Sequence, residues 1–340
     1  MNTKKSTLLL SGMVGMGLVS GQALADGHEE KNFEIYGEVE VRSVSRDDVD
    51  LDTFVDKARL GMKGDHPLEK FDDLEARWQI EYDLPLNSLA TDDVDRGDAA
   101  VRKAQINLQG GFGELIAGRQ NNGLVDTKKM DQFRNDSGVF LRGPDRVGNT
   151  LSYITPSFAG VHGYGQLVSD AYTDVATDPE TGETTSGAQS DDIDATVFGI
   201  NYFSDNVYFG LSRFEVDELF TGEQELTSLG FSVSFSDLTV FGTLQDESYD
   251  EFSVVGLGVA YAVQDWTFKV GHTMFEDDAN LAGETSKDEG AATTLLANYQ
   301  LGNGISTFVQ YIDYDSDAEA GGFGGDAISV GIDVAISKRF

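Results

Sequence analysis

The groups able to do covalent or acid-base chemistry are few in this chain. Four histidines are present, at His28, His66, His162 and His272. A hydrolytic site needs a histidine acting with a nearby serine or aspartate. None of the four falls in a long polar connection beside a Ser/Asp pair, so an enzyme is not expected. No cysteine occurs, which excludes disulfides, thiol nucleophiles and cysteine metal centres. Carboxylates are plentiful: 59 Asp and Glu against 24 Lys and Arg, a formal net charge of −35. That balance excludes a phosphate-tracking nucleic-acid binder, which needs a basic face. The acids cluster at Asp174, Asp178, Glu180 and Glu183, at Glu276, Asp277, Asp278, Glu284, Asp288 and Glu289, and at Asp315, Asp317 and Glu319. Such clusters suit diffuse Ca²⁺ or Mg²⁺ binding. Their spacing matches no EF-hand loop, so no metal site and no cofactor is expected.

The elements carrying these residues read as strands. In 74–84, Leu74, Ala76, Trp78, Ile80, Tyr82 and Leu84 share one face, and Glu75, Arg77, Gln79, Glu81 and Asp83 share the other. From 33 to 42, Phe33, Ile35, Val39 and Val41 alternate with Glu34, Tyr36, Glu38, Glu40 and Arg42. The last segment alternates from Ile328 through Val330, Ile332, Val334 and Ile336 to a terminal Phe340. Period-two alternation with turn signals every ten or so residues predicts antiparallel strands. Connections alternate between short and long. Short ones fall at 110–113, 156–160, 204–206, 263–265 and 302–304; long ones at 45–53, 87–99, 121–145, 170–192 and 275–289, among others. Placing strands between them gives about 16, each near the length a tilted membrane-crossing strand requires. The expectation is an all-β, up-and-down antiparallel transmembrane barrel. Its outside is apolar, and its charged inner face, with Glu38, Glu40, Arg42, Glu75, Arg77 and Glu81 as lumen wall, lines water too wide for side chains to fill.

The N-terminus reads as an export address. Lys4 and Lys5 precede a short apolar run over 8–21 and the small-x-small site Ala23-Leu24-Ala25. A cleaved signal peptide over 1–25 is expected, followed by a single barrel domain over 26–340.

Three short motifs carry a family resemblance. Lys57-Ala58-Arg59-Leu60-Gly61-Met62-Lys63-Gly64, Gly113-Glu114-Leu115-Ile116-Ala117-Gly118-Arg119-Gln120 and Asp145-Arg146-Val147-Gly148-Asn149-Thr150-Leu151-Ser152-Tyr153 occur in that order, ahead of the terminal Phe340. Together they resemble the general porins of Gram-negative outer membranes, which are trimeric 16-stranded barrels. The resemblance implies a third loop, 121–145, folded inward, with Arg59, Arg119 and Arg146 on the basic side of a constriction. The acidic side is expected on that loop, at Asp131 first and Asp136 second. Here the loop departs from the family pattern by also carrying Lys128, Lys129, Arg134 and Arg142.

The implied function is diffusion of small hydrophilic solutes and ions, with a modest cation preference drawn from the acidic loops and wall. A substrate-specific channel remains the alternative; an outer-membrane enzyme or a non-conducting barrel stands behind it. The implied partners are two further copies in a homotrimer, outer-membrane lipid and lipopolysaccharide, and the barrel-assembly machinery through Phe340.

Overall fold

The computed structural model describes residues 33–46, 49–68, 70–71, 73–84, 99–134, 138–169, 175–177, 184–186, 193–216, 224–248, 252–277, 288–320 and 325–340. The expected signal peptide lies outside these residues. So do Asp136, His28 and several loop acids: Asp174, Asp178, Glu180, Glu183, Asp278 and Glu284.

The first strands are β1 (Phe33–Arg46), β2 (Val49–Pro67), β3 (Glu75–Asp83), β4 (Ala100–Gly110), β5 (Gly113–Asn121), β6 (Arg146–Ile154) and β7 (Val161–Ser169). Two three-residue strands, β8 (Val175–Thr177) and β9 (Thr184–Ser186), pair only with each other, as a hairpin. There follow β10 (Ile193–Phe203), β11 (Val207–Val216), β12 (Gln224–Phe235), β13 (Leu238–Glu247) and β14 (Phe252–Val263). The chain ends with β15 (Trp266–Asp277), β16 (Asp288–Gly302), β17 (Ile305–Tyr314), a short helix α1 (Ser316–Ala320) and β18 (Ala327–Arg339). Without β8 and β9, sixteen antiparallel strands close into one barrel in which each pairs with its sequence neighbours and β18 returns to β1. The expected strand number and up-and-down order are those observed.

The alternation has the physical consequence anticipated for it. Val255, Leu257, Tyr261, Phe268, Val270, Leu295, Val309, Val330 and Ile332 are all exposed on the outside. Ser228, Thr243, Gln245, Thr273, Ser306 and Gln310 are buried on the inside. A water-soluble protein could not sustain so continuous an apolar exterior. In a bilayer the same surface is solvated by lipid, and ring closure pairs the backbone groups that an open edge would strand in hydrocarbon. Closure is completed at the chain ends. Phe340 N donates to Phe33 O at 2.8 Å, and the two rings stack with centroids 5.2 Å apart.

One connection differs from expectation. Instead of a long loop over 45–53, β1 runs to Arg46 and β2 begins at Val49, with Arg46 and Val49 in register. Alternating Val, Leu and Thr extend the ladder, and the hydroxyls of Ser43 and Thr53 meet across it at 2.7 Å.

The segment between β5 and β6, hereafter loop 3, does fold into the lumen. Leu124 packs on Val168, Val197, Phe214 and Leu226, and Met130, Phe133 and Val139 pack on Phe241, Ala260, Leu296 and Phe308. The wall makes room with glycines. A Cβ on Gly230 would stand 2.3 Å from Thr127 O, one on Gly256 2.5 Å from Met130 Cγ, and one on Gly271 2.6 Å from the Phe133 ring. Thr127, Met130 and Phe133, three residues apart, thus settle into three hollows on β12, β14 and β15.

Candidate functional site

Loop 3 packs on the wall from β7 to β17 and reaches β18 and β1 through Arg134; the rest of the wall, β2–β6, faces it. That opposite wall is charged, and irregular pairing decides which charges reach it. Between Glu40 and Val41 the β1–β2 register skips Asp56. Between Glu81 and Tyr82 the β3–β4 register skips Arg102. Between Gly118 and Gln120 the β5–β6 register slips past Arg119. A bulge inserts one residue and re-aims its neighbours, so strict alternation fails at these places.

Of the three residues so displaced, Arg102 joins a continuous network of wall charges. Arg59 Nη1 donates to Glu38 Oε2 at 3.0 Å, and Arg59 Nε to Asp83 Oδ1 at 3.4 Å. Arg102 Nη1 donates to Asp83 Oδ2 at 2.8 Å, and Arg102 Nε to Glu81 Oε1 at 2.7 Å. Tyr36 OH donates to the other Glu81 oxygen at 2.8 Å. Arg146 and Lys103 stand within electrostatic range of Arg59 and Arg102. Arg119 is placed differently: its Nε is buried without a hydrogen bond, and a Cβ on Gly148 would sit 3.5 Å from its Nη1.

On the loop, each added base is tied into the protein. Lys128 Nζ donates to Gly143 O at 2.6 Å and Asp145 Oδ1 at 2.8 Å. Lys129 Nζ lies 3.5 Å over the Tyr208 ring. Arg134 Nη1 donates to Glu40 Oε2 at 2.7 Å and Asp333 Oδ2 at 3.1 Å. Arg142 Nη2 donates to Asp277 Oδ2 at 3.2 Å, with the guanidinium over Phe252. From the wall, Lys269 Nζ donates to Gln132 O at 2.6 Å. Asp131 remains exposed, within electrostatic range of Lys57 and Arg146. Although it presents its surface to the lumen, enclosure by loop and wall, together with Asp145, raises its carboxyl to about 6.

Glu38, Glu40 and Asp333 bring carboxylate oxygens within 4.8 Å of one another. Lys57 Nζ, 3.0 Å from Glu40, and Arg134 already supply the positive charge this cluster needs. Its chemistry is that of a socket for the loop rather than a metal centre.

A family model described as Gram-negative porin matches residues 12–319. The chain belongs to the Gram-negative porin family. Major outer membrane protein P.IB of Neisseria meningitidis serogroup A is 32% identical over 110 residues, a match spanning 31% of this chain and 31% of that protein. Among solved structures, Salmonella typhi OmpF in complex with daunomycin superposes with TM-score 0.70 at 15% identity, covering 90% of this chain and 98% of that one. An anion-selective porin from Comamonas acidovorans gives 0.65 at 17% identity, covering 89% and 99%. These structural likenesses are likenesses of fold. Family and fold make the barrel an outer-membrane one.

In this porin the sequence-derived positions fare unequally. Asp131 lies within electrostatic range of Arg146, and Arg146 of Arg59, while Arg119 sits at the β5–β6 slip. Glu38 and Glu81 face inward within the network. Glu75 and Arg77 face inward and pair with each other at 2.8 Å. Glu40 and Arg42 do point inward, but they are not the water-facing wall expected: both are almost fully buried. Arg134 covers Glu40, and Arg42 pairs with Asp56 at 3.0 Å and lies over Phe54. Sequence reasoning missed Arg102 and Lys103. Two adjacent charges interrupting the alternation of β4 are the signal of a bulge that could have found them.

Proposed function

We propose that this chain is a general diffusion porin, passing small hydrophilic solutes and ions through a water-filled lumen, with no catalytic role. One observation carries this reading: the loop's bases are spent on anchoring, while Asp131 stands exposed within electrostatic range of Arg146, itself near Arg59 and Arg102. The two sides together make a charged constriction, Arg59, Arg119 and Arg146 contributing to its basic wall and Asp131 to its acidic loop. Opposite charges across a narrow aqueous gap set up a transverse field, which orients dipolar solutes and disfavours apolar ones. A modest cation preference follows from the net charge of −35 and the acids of the outer loops. A diffuse Ca²⁺ or Mg²⁺ atmosphere at that mouth would seat it among anionic lipopolysaccharide. Assembly as a homotrimer, after removal of residues 1–25 and delivery by machinery that reads Phe340, completes the proposal.

Purified protein in planar bilayers tests it. Steps of ohmic conductance that rise with salt concentration, without saturable block by particular sugars, amino acids or anions, are expected. Block by one solute at low concentration would instead make the chain a substrate-specific channel.

A further inference from the structure

We infer that Arg134 is a positioning residue of the constriction, a guanidinium plug whose acidic socket on the barrel's closing seam sets where loop 3 holds Asp131. This rests on the pore reading above for its functional consequence, though not for its geometry. Glu40 on β1 and Asp333 on β18 are directly opposed partners in the register of the seam. Like charges directly opposed on a sheet repel, and Glu40 is fully buried. Arg134 Nη1 bridges the two carboxylates at 2.7 and 3.1 Å, and Nη2 donates to Asn298 Oδ1 at 3.0 Å. The guanidinium carbon lies 4.4 Å from the Phe308 ring centroid, and Arg134 N donates to Gln310 Oε1 at 2.9 Å. Four groups on β1, β16, β17 and β18 therefore converge on one side chain, and a fifth, Gln310, holds its backbone N–H. Lys57 on β2 also neutralises part of Glu40 and lies within electrostatic range of Asp131, but it sits on the wall and does not tether the loop chain.

Plug and socket depend on each other. Breaking a buried pair by removing one partner leaves an uncompensated charge, so the socket without Arg134 would draw in water or a counter-ion. The loop without the socket would keep its apolar footing at Met130 and Phe133 and its other tethers, but lose the one that holds the chain at Arg134. Asp131 stands three residues before Arg134, so the same clamp fixes the acidic side of the constriction. A planar fork suits this job and an ammonium does so only in part.

Amide hydrogen exchange of loop 3 and bilayer recordings test the inference on three folded proteins: native, Arg134→Met and Arg134→Lys. Methionine keeps most of the length and loses the fork. Arg134→Met should exchange faster over 122–134, give fluctuating channels in place of one quiet level, and admit larger polyethylene glycols. Arg134→Lys should restore part of the protection and of the quiet level. In the Arg134→Met background, the effect of Asp131→Asn on reversal potential should shrink, which simple loss of a lumen charge would not produce. Unchanged exchange and a quiet native-like level in Arg134→Met, with the Asp131→Asn effect intact, would overturn the clamp. If the native protein carries no current, the pore reading fails, and hydrogen exchange still decides the clamp.

Discussion

Gly118 on β5 lies so close to Ala104 on β4 that a Cβ on the glycine would stand 2.2 Å from the Ala104 carbonyl oxygen. Its φ of +112° is one that L side chains rarely adopt. The slip that sets Arg119 outside the β5–β6 ladder begins at this residue. Gly118→Ala should therefore cost about 1–3 kcal/mol through backbone strain alone, and more if the strand must shift. Urea unfolding of vesicle-inserted protein measures it; a loss within error of zero would mean the backbone relaxes without penalty.

Gly256→Val should displace the loop while leaving the barrel whole. The new side chain would occupy the hollow that Met130 fills, 2.5 Å from its Cγ, and overpacking of this kind costs about 1–3 kcal/mol. Because β14 keeps its ladder, the strain falls on the loop. Higher conductance and a larger polyethylene glycol cut-off are expected, with unchanged resistance of the barrel to heat in detergent.

The contrast between these two sites shows what was legible in the residues themselves. Strand number, order and facing follow from period-two alternation, because in a membrane that pattern has one closed solution. The bulges at Asp56, Arg102 and Arg119 violate the pattern that reveals the strands, so the charges they deliver were partly lost to it. Glu40 and Arg42 were read correctly as inward and wrongly as wet, because their cover comes from elsewhere in the chain. Arg134 reaches Asp333 across 199 residues of sequence, and no local spacing announces such a contact. Loop 3's excess of bases conceals its polarity in the sequence, where the contacts that anchor them are not visible.

Arg102→Gln should raise cation preference. Arg102 neutralises Glu81 and Asp83, and its removal frees acidic charge on the wall. One unit charge about 8 Å from the ion path in water is worth about 0.5 kcal/mol, a factor of about two in local ion concentration. Reversal potentials should shift by that order toward the cation limit. Unchanged potentials would place Arg102 outside the conducting path.

Selectivity should also titrate. The raised carboxyl of Asp131, at about 6, carries its full charge only above about pH 7 and loses it as pH falls through 6. Cation preference should decline across that window in the native protein and stay flatter in Asp131→Asn. An equal decline in both would assign the titration to other groups, Asp126 among them, whose carboxyl burial also lifts to about 6.

The proposed pore turns on an acidic loop residue that faces a basic wall across the conducting path. The most direct measurement is the zero-current potential across a potassium chloride gradient for native protein and Asp131→Asn, at neutral pH and low salt. A modest cation preference is expected in the native protein, falling by a factor of about two on losing the carboxylate. Identical potentials for the two proteins, with equal conductance, would contradict it.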